Sequence, residues 1–249
     1  MPKNRSMEWV EYTKVGPGLT REKERIVTEL GLSVYVNGEH ITTSMITPML
    51  EKEFVVGNLF ARGMIGSADD IKSLKIKDDT AEVVLPERKS VERSLEIHSD
   101  FKVSRDDVFK GMNVILSSEI YAETGGIHSA GLFKRKAEPV CVTEDIGRHN
   151  ALDKVIGYAL INGIDLQNTF ATSTGRMVSE MVFKVCRANI PVVVTKAAVS
   201  KLGIEIGEKY GLTIVGYVRD KGMKISSDTG ERIATERLMK IYTYPERIL

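Results

Sequence analysis

Cysteine, histidine, aromatic residues and net charge are all in short supply in these 249 residues, and each shortage narrows the reading. With only two cysteines, Cys141 and Cys186, no disulfide framework is expected, and a reduced, cytoplasmic setting follows. Four histidines, His40, His98, His128 and His149, share no ligand spacing, so three-ligand zinc chemistry is not expected and no metal site is assigned. The net charge of +1 supplies no overall field toward nucleic acid or a membrane. Long apolar runs are missing too: nothing approaches the ~20 residues of a membrane span, and Met1–Leu19 lacks the apolar centre of a signal peptide. What remains is the 42% hydrophobic content of an ordinary globular protein, long enough for one large or two modest domains.

The N-terminal part reads as β-rich. Met1–Tyr12 is polar and expected to be partly disordered, and Arg21–Leu30 suits a strand or a short helix. Leu32–Val36 and His40–Thr43 flank Asn37-Gly38, a hairpin signal. Thr47-Pro48 opens a helix with Leu50, Phe54, Val55 and Leu59 on one face, and Ile71–Ile76 and Ala81–Leu85 read as two more strands. Glu87–Lys110 is placed as a linker because it holds twelve charged residues and no apolar period. The domains are therefore set at 1–110 and 111–249.

From Pro139 strand and helix alternate. Val140–Thr143, Thr169–Ser173, Val192–Thr195 and Leu212–Val218 are apolar strands. Asn150 is read as the cap of the first intervening helix, Val178, Met181, Val182 and Val185 mark the second, and Ser200–Tyr210, closed by Gly211, is the third. Consecutive parallel strands joined by single helices predict an α/β sheet covered on both faces, beside a smaller β-rich α+β N-terminal domain.

Ligands of open α/β sheets bind beyond the carboxyl ends of the strands. There the sequence puts Glu144, Asp145, Gly147, Arg148 and His149; then Ser173, Thr174, Gly175 and Arg176; then Lys196; then Arg219, Asp220 and Lys221. Helix starts, small residues and arginines are what a phosphate requires, and Arg176 is read as beginning the second helix behind Gly175. Caps and solvated charges gather in such loops for structural reasons as well, and an ion-pair ladder explains Glu180 and Lys184 equally well. Gly125-Gly126 beside His128 fits an anion loop or a plain tight turn. The His-x-Glu and Pro-Cys-x-x-Cys signatures of zinc deaminases are missing. Cys186 follows the apolar helix face and Cys141 lies between valines, so both are read as packed rather than reactive.

Three strings are sharper still: Glu144-Asp-Ile-Gly-Arg-His-Asn-Ala-Leu-Asp-Lys154, Thr124-Gly-Gly-Ile-His-Ser-Ala130 and Ser173-Thr-Gly-Arg176. With Thr47-Pro48, Val56-Gly-Asn-Leu-Phe-Ala-Arg-Gly63 and Gly216-Tyr-Val-Arg219, they closely resemble the FdhD family of formate dehydrogenase accessory sulfur carriers. The resemblance implies a C-terminal three-layer fold like that of cytidine deaminases without their zinc, a homodimer, and a cysteine desulfurase and a molybdoenzyme such as formate dehydrogenase as partners. It also implies molybdopterin guanine dinucleotide or a guanine nucleotide as ligand. Carried onto this chain, the ligand site comprises Gly125, Gly126, His128, Glu144, Asp145, Arg148, His149, Ser173, Gly175 and Arg176, with no catalytic residue. The family's Cys-Gly-x-Cys-Gly loop, however, is replaced by Val91-Glu-Arg-Ser-Leu-Glu-Ile-His-Ser-Asp-Phe-Lys102. Sulfane sulfur needs a thiolate carrier, so relay through that loop is not expected here. Two alternatives stand behind the binding role: a persulfide carried on Cys141 or Cys186, and a nucleotide hydrolase using Glu144, Asp145 and His149.

Overall fold

A strict alternation of burial builds the first sheet: Leu32, Val34 and Val36 turn inward while Ser33 and Tyr35 stay half-buried. The computed structural model describes residues 6–86, 94–220, 222–225 and 232–249. Strand β1 (Met7–Val15) pairs antiparallel with β2 (Leu19–Val27) as a two-stranded ribbon. Of Met1–Tyr12, the stretch expected to be partly disordered, Met7–Tyr12 lie in a strand, while residues 1–5 fall outside the described residues. β3 (Leu30–Val36) and β4 (Glu39–Ile46) form the expected hairpin, with Asn37 at φ 51° and Gly38 at φ 86°, the two left-handed residues of a tight turn. After α1 (Glu51–Ala61) come β5 (Ser73–Lys77) and β6 (Thr80–Val84), completing the order β4-β3-β6-β5.

Then follow α2 (Arg105–Leu116), α3 (Glu119–Thr124), β7 (His128–Phe133), β8 (Pro139–Asp145), α4 (Arg148–Ile161), β9 (Phe170–Ser173), α5 (Ser179–Arg187), β10 (Val192–Thr195), α6 (Lys201–Tyr210) and β11 (Thr213–Arg219). Short strands β12 (Gly222–Ile225), β13 (Arg232–Thr235) and β14 (Leu238–Ile241) end the chain. The large sheet has the order β14-β11-β10-β9-β7-β8. Strands β9, β10 and β11 are parallel neighbours, as anticipated, but the strand at Val140–Thr143 is not next in line. Antiparallel β7 stands between, and it takes in the end of the Thr124–Gly131 segment that sequence placed before the sheet. Five of its six residues are buried, so the alternation that announces a half-exposed strand is lacking.

The chain forms two compact units that interleave along the sequence instead of dividing once near residue 110. One comprises Met1–Glu92, Ser117–Ser129 and Thr143–Asn162; the other comprises Arg93–Leu116, Ala130–Val142 and Gly163–Leu249. Of the charged linker, residues 87–93 lie outside the described residues, whereas Arg105–Lys110 belong to α2. In the first unit α1 and α4 meet backbone to backbone. A Cβ on Gly57 would stand 1.9 Å from the Asp153 carbonyl oxygen, and one on Gly157 would stand 1.8 Å from that of Glu53. In the second unit Phe101, Phe109, Met112, Phe133, Phe170, Val194 and Val215 share one core. Ile214, beside Val215 in β11, points the opposite way and meets Gly207 of α6. Strand alternation therefore puts α2 and α6 on opposite faces of the sheet. No helix among the described residues is long and apolar enough to cross a membrane.

Two helix starts differ from the sequence reading. α4 begins at Arg148 with Gly147 as its N-cap, so Asn150 lies inside the first turn and sends its amide to Asp145 and to the Met45 carbonyl, at 2.9 and 2.7 Å. α5 begins at Ser179, because Met177 pairs with the 198–200 strand segment through its N–H to Ala198 and its carbonyl from Ser200. Arg176 therefore precedes that helix by three residues and shares no helical stripe with Glu180 and Lys184.

Candidate functional site

In the first unit the string Glu144–Lys154 folds around a buried ion pair. Asp145 and Lys154 are both 0% exposed and 2.6 Å apart. The second Asp145 oxygen of the pair also accepts the Thr47 N–H at 3.0 Å, and Oδ1 accepts from Gly147 and Asn150 at 2.8 and 2.9 Å. Lys154 donates further to the carbonyls of Thr47 and Glu144, at 3.0 and 3.1 Å. Its three protons thus have three acceptors, which is the condition under which two charges tolerate such burial. Burial draws the Lys154 ammonium below its ordinary pKa, and the Asp145 carboxylate opposes that. Thr47 closes the network by accepting the Ile146 N–H on its hydroxyl at 3.1 Å. Asp145, expected at a ligand, faces inward and fixes the loop that starts α4.

Glu144 is half-buried and accepts a hydrogen bond from the Ser118 hydroxyl. The same hydroxyl caps α3 by accepting the Tyr121 N–H at 2.9 Å. α3 then ends at Gly125, whose φ of 64° is the left-handed cap geometry. The Gly125 N–H bonds the Tyr121 carbonyl at 2.8 Å and the Gly126 N–H bonds the Thr124 hydroxyl at 3.2 Å. The double glycine is therefore a helix terminus with both donors engaged, which takes from it the free N–H groups of an anion loop. His128 opens β7, half-buried.

Arg148 and His149 are the first two residues of α4, both half-buried. No side chain caps this fourteen-residue helix, and its first turn carries the positive end of the helix dipole. Nε of Arg148 is buried without a hydrogen-bond partner among the described residues. A buried donor left unpaired costs about 1–3 kcal/mol, more when charged, and calls for an explanation.

The remaining candidates belong to the second unit. Ser173, buried at the end of β9, accepts the Gly175 N–H at 3.0 Å, and the Gly175 carbonyl accepts the Thr195 hydroxyl at 2.7 Å. Arg176 follows this closed turn, exposed and without an ion pair among the described residues. Asp220, another strand-end residue, is held by Asn113 at 2.7 Å and Arg237 at 2.8 Å, and Arg237 also reaches Asp106 and stacks 5.0 Å from the Phe109 ring. Lys221 lies outside the described residues.

Both thiols are poor nucleophiles. Cys186 is fully buried in α5 and Cys141 half-buried in β8; burial pushes each pKa up to about 12. No group of three metal-ligating side chains exists among the described residues. Sequence reasoning missed Thr47, Ser118 and Lys154 as parts of this arrangement. Thr47 and Lys154 stand inside the quoted strings, but nothing local reveals that residues about a hundred positions apart pair.

The fold and these residues define an α/β protein with a rigidly held, cationic helix start and no activated thiol. A family model for the FdhD/NarQ family matches residues 27–96 and 87–249, and the chain belongs to that family. It is 28% identical over 260 residues to the sulfur carrier protein FdhD of Methanothermobacter thermautotrophicus, covering 96% of this chain and 98% of the relative. It is 30% identical over 240 residues to the FdhD of Wolinella succinogenes, covering 85% and 84%. A crystal structure of a candidate formate dehydrogenase accessory protein from Desulfotalea psychrophila superposes with a TM-score of 0.81 at 26% identity, over 98% of this chain and 99% of that one.

Proposed function

We propose that this chain serves the maturation of a molybdenum- or tungsten-dependent formate dehydrogenase by binding the guanine nucleotide part of its molybdopterin cofactor, without relaying sulfur through a Cys-Gly-x-Cys-Gly loop. The names of its relatives supply the pathway, and the Arg148 guanidinium supplies the chemistry. A charged donor buried beside an uncapped helix start lacks only an anion, and phosphate matches both the charge and the geometry of a helix N-terminus. Arg148 and the first-turn N–H groups of α4 are assigned to hold phosphate oxygens, and the Asp145–Lys154 pair keeps that turn in place. Bound, the cofactor would bring the metal-binding dithiolene; the residues named here only bind and orient.

Sulfur relay has less support. The loop cysteines are replaced in the sequence, and the two thiols present are held protonated by burial. The hydrolase reading loses Asp145, whose oxygens are fully engaged internally.

Thermal unfolding with and without GDP tests the proposal. A ligand at a hundred times its Kd stabilises by about 2.7 kcal/mol, a rise of roughly 5–11 °C for a chain of this size. Arg148→Ala is expected to abolish the rise, with ADP giving less than GDP. An unshifted transition with every guanine nucleotide and pterin tried would overturn the assignment.

A further inference from the structure

Within the first unit, away from the residues assigned above, a cavity of about 370 Å³ opens where the β3–β4 turn, the end of α1 and the exit of β6 converge. Its walls include Val36, Ile41, Met64, Leu85 and Pro86, and three charged residues line it: Glu39 and Arg62, both exposed at its mouth, and Asp70, half-buried. Its size falls at the small end of the ~300–1,000 Å³ range of ligand sites, which suits a small molecule rather than a dinucleotide.

The walls are fixed from several sides. Asn37 donates its N–H to the Val83 carbonyl and accepts the Leu85 N–H on its side chain, each at 2.9 Å, tying the turn to the end of β6. Asp70 accepts the N–H groups of Gly66 and Ser67 at 2.7 and 3.1 Å, holding the segment that follows Met64. Arg62 is aimed by a relay that starts in the interior. The buried Asp153 carboxylate accepts from the Asn58 amide at 3.1 Å, and the Asn58 oxygen accepts from Arg62 Nε at 2.8 Å. That leaves both Nη groups of the guanidinium for a ligand, in the fork that suits a carboxylate. Neither Arg62 nor Glu39 forms an ion pair among the described residues, with each other or with any other group.

One small cavity with a mixed polar and apolar lining thus carries an exposed cation and an exposed carboxylate that no described group pairs, beside the Asp70 carboxylate that is held by the Gly66 and Ser67 N–H groups. A simple anion would answer Arg62 but be repelled by Glu39, and a phosphate dianion more so. A molecule with a carboxylate, an ammonium and an apolar body satisfies both charges and the walls together. We infer that this cavity binds a free apolar amino acid, its carboxylate on Arg62 and its ammonium on Glu39.

Calorimetric titration of the full chain with L-leucine, L-methionine and L-phenylalanine tests this, beside N-acetyl-L-leucine, L-leucinamide and inorganic phosphate. At least one free amino acid should bind, and each blocked leucine should bind roughly tenfold or more weakly than leucine. Arg62→Gln should weaken the free amino acid to a similar degree while GDP still raises the unfolding temperature, which shows that the variant is folded. Glu39→Gln should erase the preference for leucine over N-acetyl-L-leucine. Absence of heat with all three amino acids at millimolar concentration overturns the inference. So does binding of phosphate or N-acetyl-L-leucine as tight as that of leucine, or an affinity unmoved by Arg62→Gln.

Discussion

Alkylation of the two native thiols discriminates most directly between a sulfur carrier and a chain that has lost that role. Each thiol is pushed up to about 12 from an ordinary 9.0, and the cause is burial. At pH 8 an ordinary cysteine is about one-tenth thiolate, whereas one with a pKa of about 12 is thiolate in about one molecule in ten thousand, a thousandfold difference. Iodoacetamide at pH 8, followed by intact-mass spectrometry, should therefore modify the native chain about a thousandfold more slowly than the chain unfolded in guanidinium. Cys186, fully buried, should be slower again. The same shift acts on stability. Because the folded value lies above the unfolded one, the stabilising contribution is complete below pH 9 and is lost as pH rises toward 12. The loss is about 1.4 kcal/mol per thiol by pH 10 and about 4 kcal/mol by pH 12. Denaturant midpoints between pH 7 and 10 should fall accordingly, and a Cys141→Ala/Cys186→Ala chain should lack this part of the decline. Rapid labelling of one thiol in the native chain at pH 8 would refute the reasoning and reopen persulfide transfer.

Lys154→Met leaves the Asp145 carboxylate buried without its countercharge, so a loss of about 3–5 kcal/mol is expected, or roughly 6–20 °C in unfolding temperature. Adding Asp145→Asn should cost less than the sum of the single changes, by at least ~1 kcal/mol; strict additivity in chemical denaturation would show that the two charges do not interact. Gly57→Ala and Gly157→Ala each force a Cβ to within 2 Å of a carbonyl oxygen on the facing helix and should cost about 3 kcal/mol or more, whereas Gly16→Ala, with open space around it, should stay within ~0.5 kcal/mol. Equal denaturation midpoints for these three variants would contradict the helix contact.

The sequence was most legible where a single residue type decides a local geometry. Asn37-Gly38 announced the hairpin, and Ser200 and Gly211 bracket α6 as cap residues should. It was least legible where tertiary context overrides local pattern. β1 and β2 are exposed and heavily charged, so neither alternation nor burial marks them. β7 carries Gly131 at its centre because a Cβ there would stand 2.6 Å from the Phe133 ring, and a glycine inside a short buried run does not look like a strand. Met177 has the spacing of a helix residue, yet its backbone is taken by Ala198 and Ser200. The candidate site divided on the same principle. Residue types suited to a phosphate could be listed from strand ends, but which of them were already committed to internal bonds depended on partners far along the chain.

That division changes what the family strings mean. Gly57 and Asn58 of one string answer Asp153 of the other, and Asp145 and Lys154 answer each other and Thr47. Most of the residues that make the resemblance so specific therefore maintain the scaffold, and their presence shows that the scaffold is intact. They do not by themselves show that a ligand binds. Function has to be read from string residues that the scaffold leaves without a partner, and Arg148 is the clearest among those carried over as site candidates, with a buried Nε that no described group answers. The missing cysteine pair belongs to a different part of the chain, and the Thr47–Asp145–Lys154 network does not depend on it. Loss of the relay loop and retention of the scaffold are thus separable events in the sequence. A chain that keeps the second while lacking the first retains the scaffold of its family, and the response of Arg148→Ala to GDP decides whether that scaffold holds an anion.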